Sequence, residues 1–210
     1  MPQENIQQRT KNFIMGLSFH YSGSFNADTS LRAMIEEVKD IAAIYEWRYV
    51  VFEQEFPANC IGKKGYDQNI YGICFTPPGC ETVNLCFLSN GKMSSPSNLQ
   101  FFGNSESRRY KKYLYMLSVK TQYAGIEIHK LIIHLLKYLD QRYFQNFTVS
   151  DEGKYWETLD EKLLQDIFKR YTDLTESFIS SIQRYPINAG ESFEAYFRRV
   201  LKQSHERDGR

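Results

Sequence analysis

The chain has 210 residues, with 26 Lys+Arg against 25 Asp+Glu and a net charge of +1. That length can bury a self-sufficient core, and the charge balance creates no long-range field to draw in nucleic acid or an acidic membrane. Aromatic residues reach 15%, with 15 Tyr and 15 Phe, which suits a rich core margin or an interaction surface.

The opening MPQENIQQRTKN is polar and lacks the apolar segment of a leader. The most apolar run, 131–139, is interrupted by His134 and Lys137 and is far shorter than the ~20 residues a spanning helix needs. A cytoplasmic protein without a membrane segment is expected. Cysteines 60, 74, 80 and 86 form no CxxC pair, so they read as buried small hydrophobes. Neither a metal nor a cofactor is expected. A hairpin centred on Cys80 would make Cys74 and Cys86 cross-strand neighbours.

In chain order, residues 14–25 alternate as a strand, with Leu17, Phe19 and Tyr21 on one face. Residues 26–30 supply turn and N-cap chemistry for a helix whose stripe is Leu31, Met34, Ile35, Val38, Ile41, Ala42 and Tyr45. A β-rich run, 48–56, ends at Pro57. The loop 58–68 holds Gly62-Lys63-Lys64-Gly65, which lacks the spacing of a phosphate-binding loop. Strands 69–76 and 82–89 pair through Pro77-Pro78-Gly79-Cys80, and Asn90-Gly91 turns the chain into 92–95. Residues 94–107 read as a flexible loop, and 110–120 as a central strand apolar on both faces.

A helix is expected over 126–143, with His129 at the edge of its apolar stripe and His134 outside. Five residues apart, the two histidines lie about 140° round the helix from each other, which rules out an i, i+4 metal pair. A short strand, 147–150, follows. Thr158 and Glu161 suggest a capping box for a helix carrying Leu163, Leu164, Ile167, Phe168, Tyr171, Leu174 and Phe178. A last helix spans 192–202, and the tail SHERDGR reads as disordered. The whole predicts an α+β fold: a mainly antiparallel sheet of about five to six strands packed against helices, with a helical C-terminal part. Residues 1–185 form a single α+β domain in this reading, and 186–210 a C-terminal helix and tail.

The densest chemistry lies in Asp151-Glu152-Gly153-Lys154-Tyr155-Trp156-Glu157. Neighbouring carboxylates can shift one another's pKa and provide an acid and a base. The same residues also suit a structural turn, with the acids complementing a helix dipole, Gly153 permitting the bend and Trp156 plugging the core. A second stretch, Arg108-Arg109-Tyr110-Lys111-Lys112-Tyr113-Leu114-Tyr115, interleaves bases and aromatics as a single-stranded nucleic-acid surface does. With the net charge near zero, a charged strand start is the preferred reading there. No GxSxG, GxGxxG or HExxH occurs.

Lys-Thr-Gln-Tyr-Ala at 120–124, together with Asp-Glu-Gly-x-Tyr-Trp-Glu at 151–157, resembles a group of uncharacterised bacterial proteins sharing both motifs. In that group a longer insert often precedes the helix, whereas here Gly125 leads straight in. The resemblance implies no activity. It suggests that the motifs meet in space, with Lys120, Gln122 and His129 facing Asp151, Glu152 and Glu157.

Three functions follow, in order. The first is a protein-interaction or regulatory module, toxin neutralisation among its forms, binding a protein partner through Gln122, Tyr123, Tyr155, Trp156 and an aromatic surface. The second is a hydrolase or transferase in which Asp151, Glu152 and Glu157 act as acid, base or ligands, Lys120 stabilises negative charge and His129 carries protons. The third is nucleic-acid binding through 108–115. Oligomeric state is not legible.

Overall fold

The computed structural model describes residues 17–208, which divide into two compact units, 17–168 and 169–208. In the first, β1 (Ser18–Phe25) lies between β5 (Leu117–Lys120) and β6 (Phe144–Asp151) in a three-stranded antiparallel sheet. Its alternation turns Phe19 and Tyr21 into the core. A second antiparallel sheet has the order β2 (Arg48–Val51), β3 (Tyr71–Thr76), β4 (Val83–Phe87). The fold is α+β as expected, but the six strands among the described residues form two sheets of three. Lys92 and Met93 link them through single bridges, Ser24↔Lys92 and Phe87↔Met93.

Helix α1 (Leu31–Ile44) starts where the Ser30 hydroxyl accepts the Ala33 N–H at 3.2 Å. It buries Leu31, Met34, Ile35, Val38 and Ala42 over β2 and β3. The opposite face of that sheet carries Ile70, Cys86, Leu88, Leu99 and Leu114. Helix α4 (Ile126–Tyr143) buries Ile132, Ile133, Leu135, Leu136 and Leu139 and packs on β6.

Several local expectations change. The stretch 94–107 contains helix α2 (Pro96–Phe102), because Ser95 caps it by accepting the Asn98 N–H at 3.1 Å and Pro96 opens its first turn. The expected strand 110–120 is mostly helical: α3 (Arg108–Lys111) and a 3₁₀ turn, Lys112–Tyr115, precede β5. Side chains occupy the carbonyls a strand partner would need, since Ser94 donates to the Leu114 oxygen at 2.8 Å and Asn98 to the Met116 oxygen at 3.0 Å.

Strand β6 begins immediately after α4 and runs longer than 147–150. A register shift opposite Ser22–Ser24, with Asn146 at φ 51°, inserts a bulge that its polar start had concealed. Residues 14–16 of the first expected strand lie outside the described residues.

Helix α6 (Glu161–Arg184) is preceded by α5 (Tyr155–Thr158). Leu159, in the left-handed region at φ 54°, separates the two helices. The cap therefore moves from Thr158 to Asp160, whose carboxylate accepts the Leu163 N–H at 3.0 Å. The two units part inside α6, between 168 and 169, whereas the expected domain boundary falls just after its end.

In the second unit, α7 (Phe193–Asp208) extends well past 202 into the tail read as disordered. Tyr196 is buried there, and Phe178 stacks on Phe197 at 5.7 Å. Arg199 grips Glu191 through two bonds of 2.7 and 2.8 Å. No helix among the described residues is long and apolar enough to cross a membrane.

Candidate functional site

The two motifs are bridged by His129, which bonds Thr121 of one and Asp151 of the other, all three fully buried. Thr121 follows the end of β5, His129 sits in the first turn of α4 and Asp151 ends β6. The imidazole lies between the Thr121 hydroxyl, 2.7 Å from Nδ1, and the Asp151 carboxylate, 3.2 Å from Nε2. Phe19 and Phe168 present ring edges to it at 6.1 and 5.6 Å. The hydroxyl–imidazole–carboxylate chain has the connectivity of a hydrolytic triad, but its hydroxyl is sealed in the core.

The carboxylate has a further task. Its Oδ1 accepts the Gly153 N–H at 2.7 Å, and Oδ2 accepts those of Tyr155 and Trp156 at 2.9 and 3.0 Å. Asp151 thus caps α5 from four residues away, and with His129 as a fourth donor and no solvent exposure it presents no face to a substrate. Burial, the largest single influence, pushes its carboxyl pKa up. The His129 bond and charge, with the backbone N–H groups, outweigh it and hold the value below the usual carboxylate range. Packing is tight as well: a Cβ on Gly153 would fall 2.8 Å from Leu164 and 3.0 Å from His129.

The remaining sequence candidates scatter around this core. Glu152 clamps the start of β1, accepting the Ser18 N–H at 2.8 Å while its own N–H donates to the Ser18 carbonyl at 3.1 Å. Glu157 is exposed in the first turn of α5. The Lys120 backbone N–H donates to Glu81 at 2.9 Å, and its ammonium stands 5.6 Å from the ring of exposed Tyr123. Gln122 is half-buried.

Tyr155 is buried, its hydroxyl 3.1 Å from His134 Nε2, so the two histidines serve different partners on opposite sides of α4. Trp156 lies between Phe147, 5.8 Å away, and the Lys137 ammonium, 4.4 Å from its ring centroid. His134 and Lys137, one turn apart, therefore dock α5 on α4. Among the described residues, no three His, Cys, Asp or Glu side chains gather as metal ligands.

Thr121 is the member that sequence reasoning missed. It lies inside the Lys-Thr-Gln-Tyr-Ala motif, but a lone hydroxyl carries no spacing signal to a histidine eight positions on. The basic run 108–115 is also not an extended platform, since Leu114 is buried and Tyr115 packs against the second sheet's cluster.

Elsewhere, a surface cavity of about 630 Å³ opens between the end of β1, the start of α1 and residues 54–61. Phe25, Leu31 and Phe56 line it, and the Arg32–Glu55 ion pair closes at 3.0 Å beside it. None of the sequence candidates lines this cavity. No known protein family, curated protein or solved structure matches the chain, so the geometry carries the functional reading.

Proposed function

We propose that the chain is a protein-interaction module that takes up an extended segment of a partner along the free edge of β2. The carrying observation is a cluster of exposed apolar side chains where α1 passes into β2: Ile44 at 76% exposure, Tyr45 at 48%, Tyr49 at 40% and Val50 at 53%. Scattered exposed hydrophobics are ordinary, but these four gather at the end of α1 and on β2, a strand that pairs with β3 on one side only. Its other side offers backbone N–H and C=O groups to an added strand. Beneath the cluster, Tyr45 stacks on Trp47 at 5.1 Å and Trp47 on Phe75 at 5.3 Å, a rigid base for docking.

Charge narrows the partner. Exposed Glu46 and Glu53 flank the strand around a single Arg48. A second copy laid antiparallel would bring these acids toward one another, whereas an apolar segment with basic flanks meets them favourably. The inward commitment of His129, Asp151 and Tyr155 favours this reading over catalysis at the two motifs.

The test places a photocrosslinking residue at position 49 in cells. One discrete cross-linked protein, lost when Val51→Pro removes an N–H on the free edge of β2, is expected. A diffuse set of products, a product that survives Val51→Pro, or a dimer of the chain itself would each overturn the reading.

A further inference from the structure

Cys74 and Cys86 occupy the same face of adjacent strands. Cys74 lies opposite Asn84, and Cys86 lies opposite Gly72, so the two cysteines are diagonal neighbours. The residue facing Cys86 has no side chain, which leaves its sulfur free to lean toward Cys74, and both belong to one apolar cluster. Gly72 also brings the strands close, since a Cβ there would fall 2.3 Å from the Leu85 oxygen and 3.3 Å from the Cys86 Cα. Cys86 is fully buried and Cys74 only half-buried, and neither is in a disulfide. Cys74 therefore keeps solvent exposure that Cys86 lacks.

We propose that Cys74 is an oxidation site, at which a hydroperoxide forms a sulfenic acid that Cys86 resolves to an intrachain disulfide. The Cys74 thiolate attacks one peroxide oxygen and the O–O bond breaks; sulfur loses two electrons and hydroxide leaves, for hydrogen peroxide, to be protonated to water. The Cys86 sulfur then attacks the Cys74 sulfur, the S–O bond breaks, and the departing hydroxide takes up the Cys86 proton as a second water. The division of roles follows from burial. The neighbouring Cys86 lowers the Cys74 thiol pKa, which favours the thiolate there, while burial keeps Cys86 protonated until it is called on.

Diagonal neighbours stand about 7–8 Å apart, beyond the usual disulfide Cα separation of about 4.4–6.8 Å. Closure therefore draws β3 and β4 together, and the bond formed is strained and readily reduced. That suits a reversible mark better than a structural staple.

The experiment treats the folded chain with limiting hydrogen peroxide and maps cysteines by mass spectrometry without reduction. The expected product is a Cys74–Cys86 linked peptide, lighter by two hydrogens and reversed by dithiothreitol. Cys86→Ser should instead accumulate a dimedone-trapped sulfenic acid at Cys74, and Cys60→Ser or Cys80→Ser should leave the link intact. A first link through Cys60 or Cys80, or Cys74 recovered unmodified or as sulfinic acid beside a free Cys86, would overturn the assignment. Because the wild-type product is decisive by itself, the test stands even if a cysteine variant fails to fold.

Discussion

The Tyr21 hydroxyl closes the open edge of β4 by serving both backbone groups of Asn84, accepting its N–H at 2.9 Å and donating to its carbonyl at 2.9 Å. One side chain from the first sheet thus takes the place of a missing strand beside the second. Burial, the largest influence, pushes this hydroxyl's pKa far above its ordinary value and keeps it a neutral donor. Tyr21→Phe leaves two buried backbone groups without this partner at nearly constant volume. It should lower stability by about 1–3 kcal/mol, read from urea unfolding, with faster amide exchange at Asn84.

Asp151 should contribute to acid unfolding. Its folded pKa is depressed, so its stabilisation is complete above the unfolded carboxyl value of about 3.9 and is lost as pH falls through the lower folded value. Asp151→Asn removes an acceptor that α5 and His129 share and should lose about 2–4 kcal/mol at neutral pH. Urea midpoints followed from neutral to acid pH should therefore fall less in the variant than in the wild type.

The edge of β2 should separate stability from binding. Val50 makes little use of its side chain inside the fold, so Val50→Lys should shift unfolding by no more than about 0.5 kcal/mol. The same change should abolish the cross-link formed from position 49. A large loss of stability would show that the exposed cluster is structural.

Thiol reactivity should sort the cysteines. The neighbouring Cys86 thiol lowers the Cys74 pKa to about 7, whereas burial raises that of Cys80 to about 12. Alkylation of Cys74 by iodoacetamide should rise through neutral pH while Cys80 stays inert. Cys86→Ala, which deletes that neighbour, should move the Cys74 profile to higher pH.

Legibility followed periodicity. α1 and α4 announced themselves through apolar stripes, and the β3–β4 hairpin through Pro77-Pro78-Gly79. The two motifs were suggested to meet, and the link between them is His129, outside both, bonded to Thr121 of one and Asp151 of the other. Tyr110–Tyr115 misled because alternating tyrosines mimic a strand, and only Ser94 and Asn98, distant in sequence, reveal that the local carbonyls are already taken. The stretch that holds α2 reads as loop, because its start signal, Ser95-Pro96, lies hidden among polar residues. The capping role of Asp151 was not legible, because a carboxylate's burial depends on elements brought from Phe19 and Phe168.

The central place of β1 sets an order of events for the growing chain. Its neighbours β5 and β6 lie far downstream, Ser18 pairing with Lys120 and Phe19 with Asp151. The β3–β4 hairpin, by contrast, closes over a short turn. Loop-closure entropy favours the local hairpin first, so β1 emerges early from the ribosome yet must wait as an unpaired strand until β6 has been made. Pulse-labelled hydrogen exchange during refolding should find amides of β3 and β4 protected before those of β1. A chaperone that shields residues near Phe19 during synthesis would then act on the segment exposed longest.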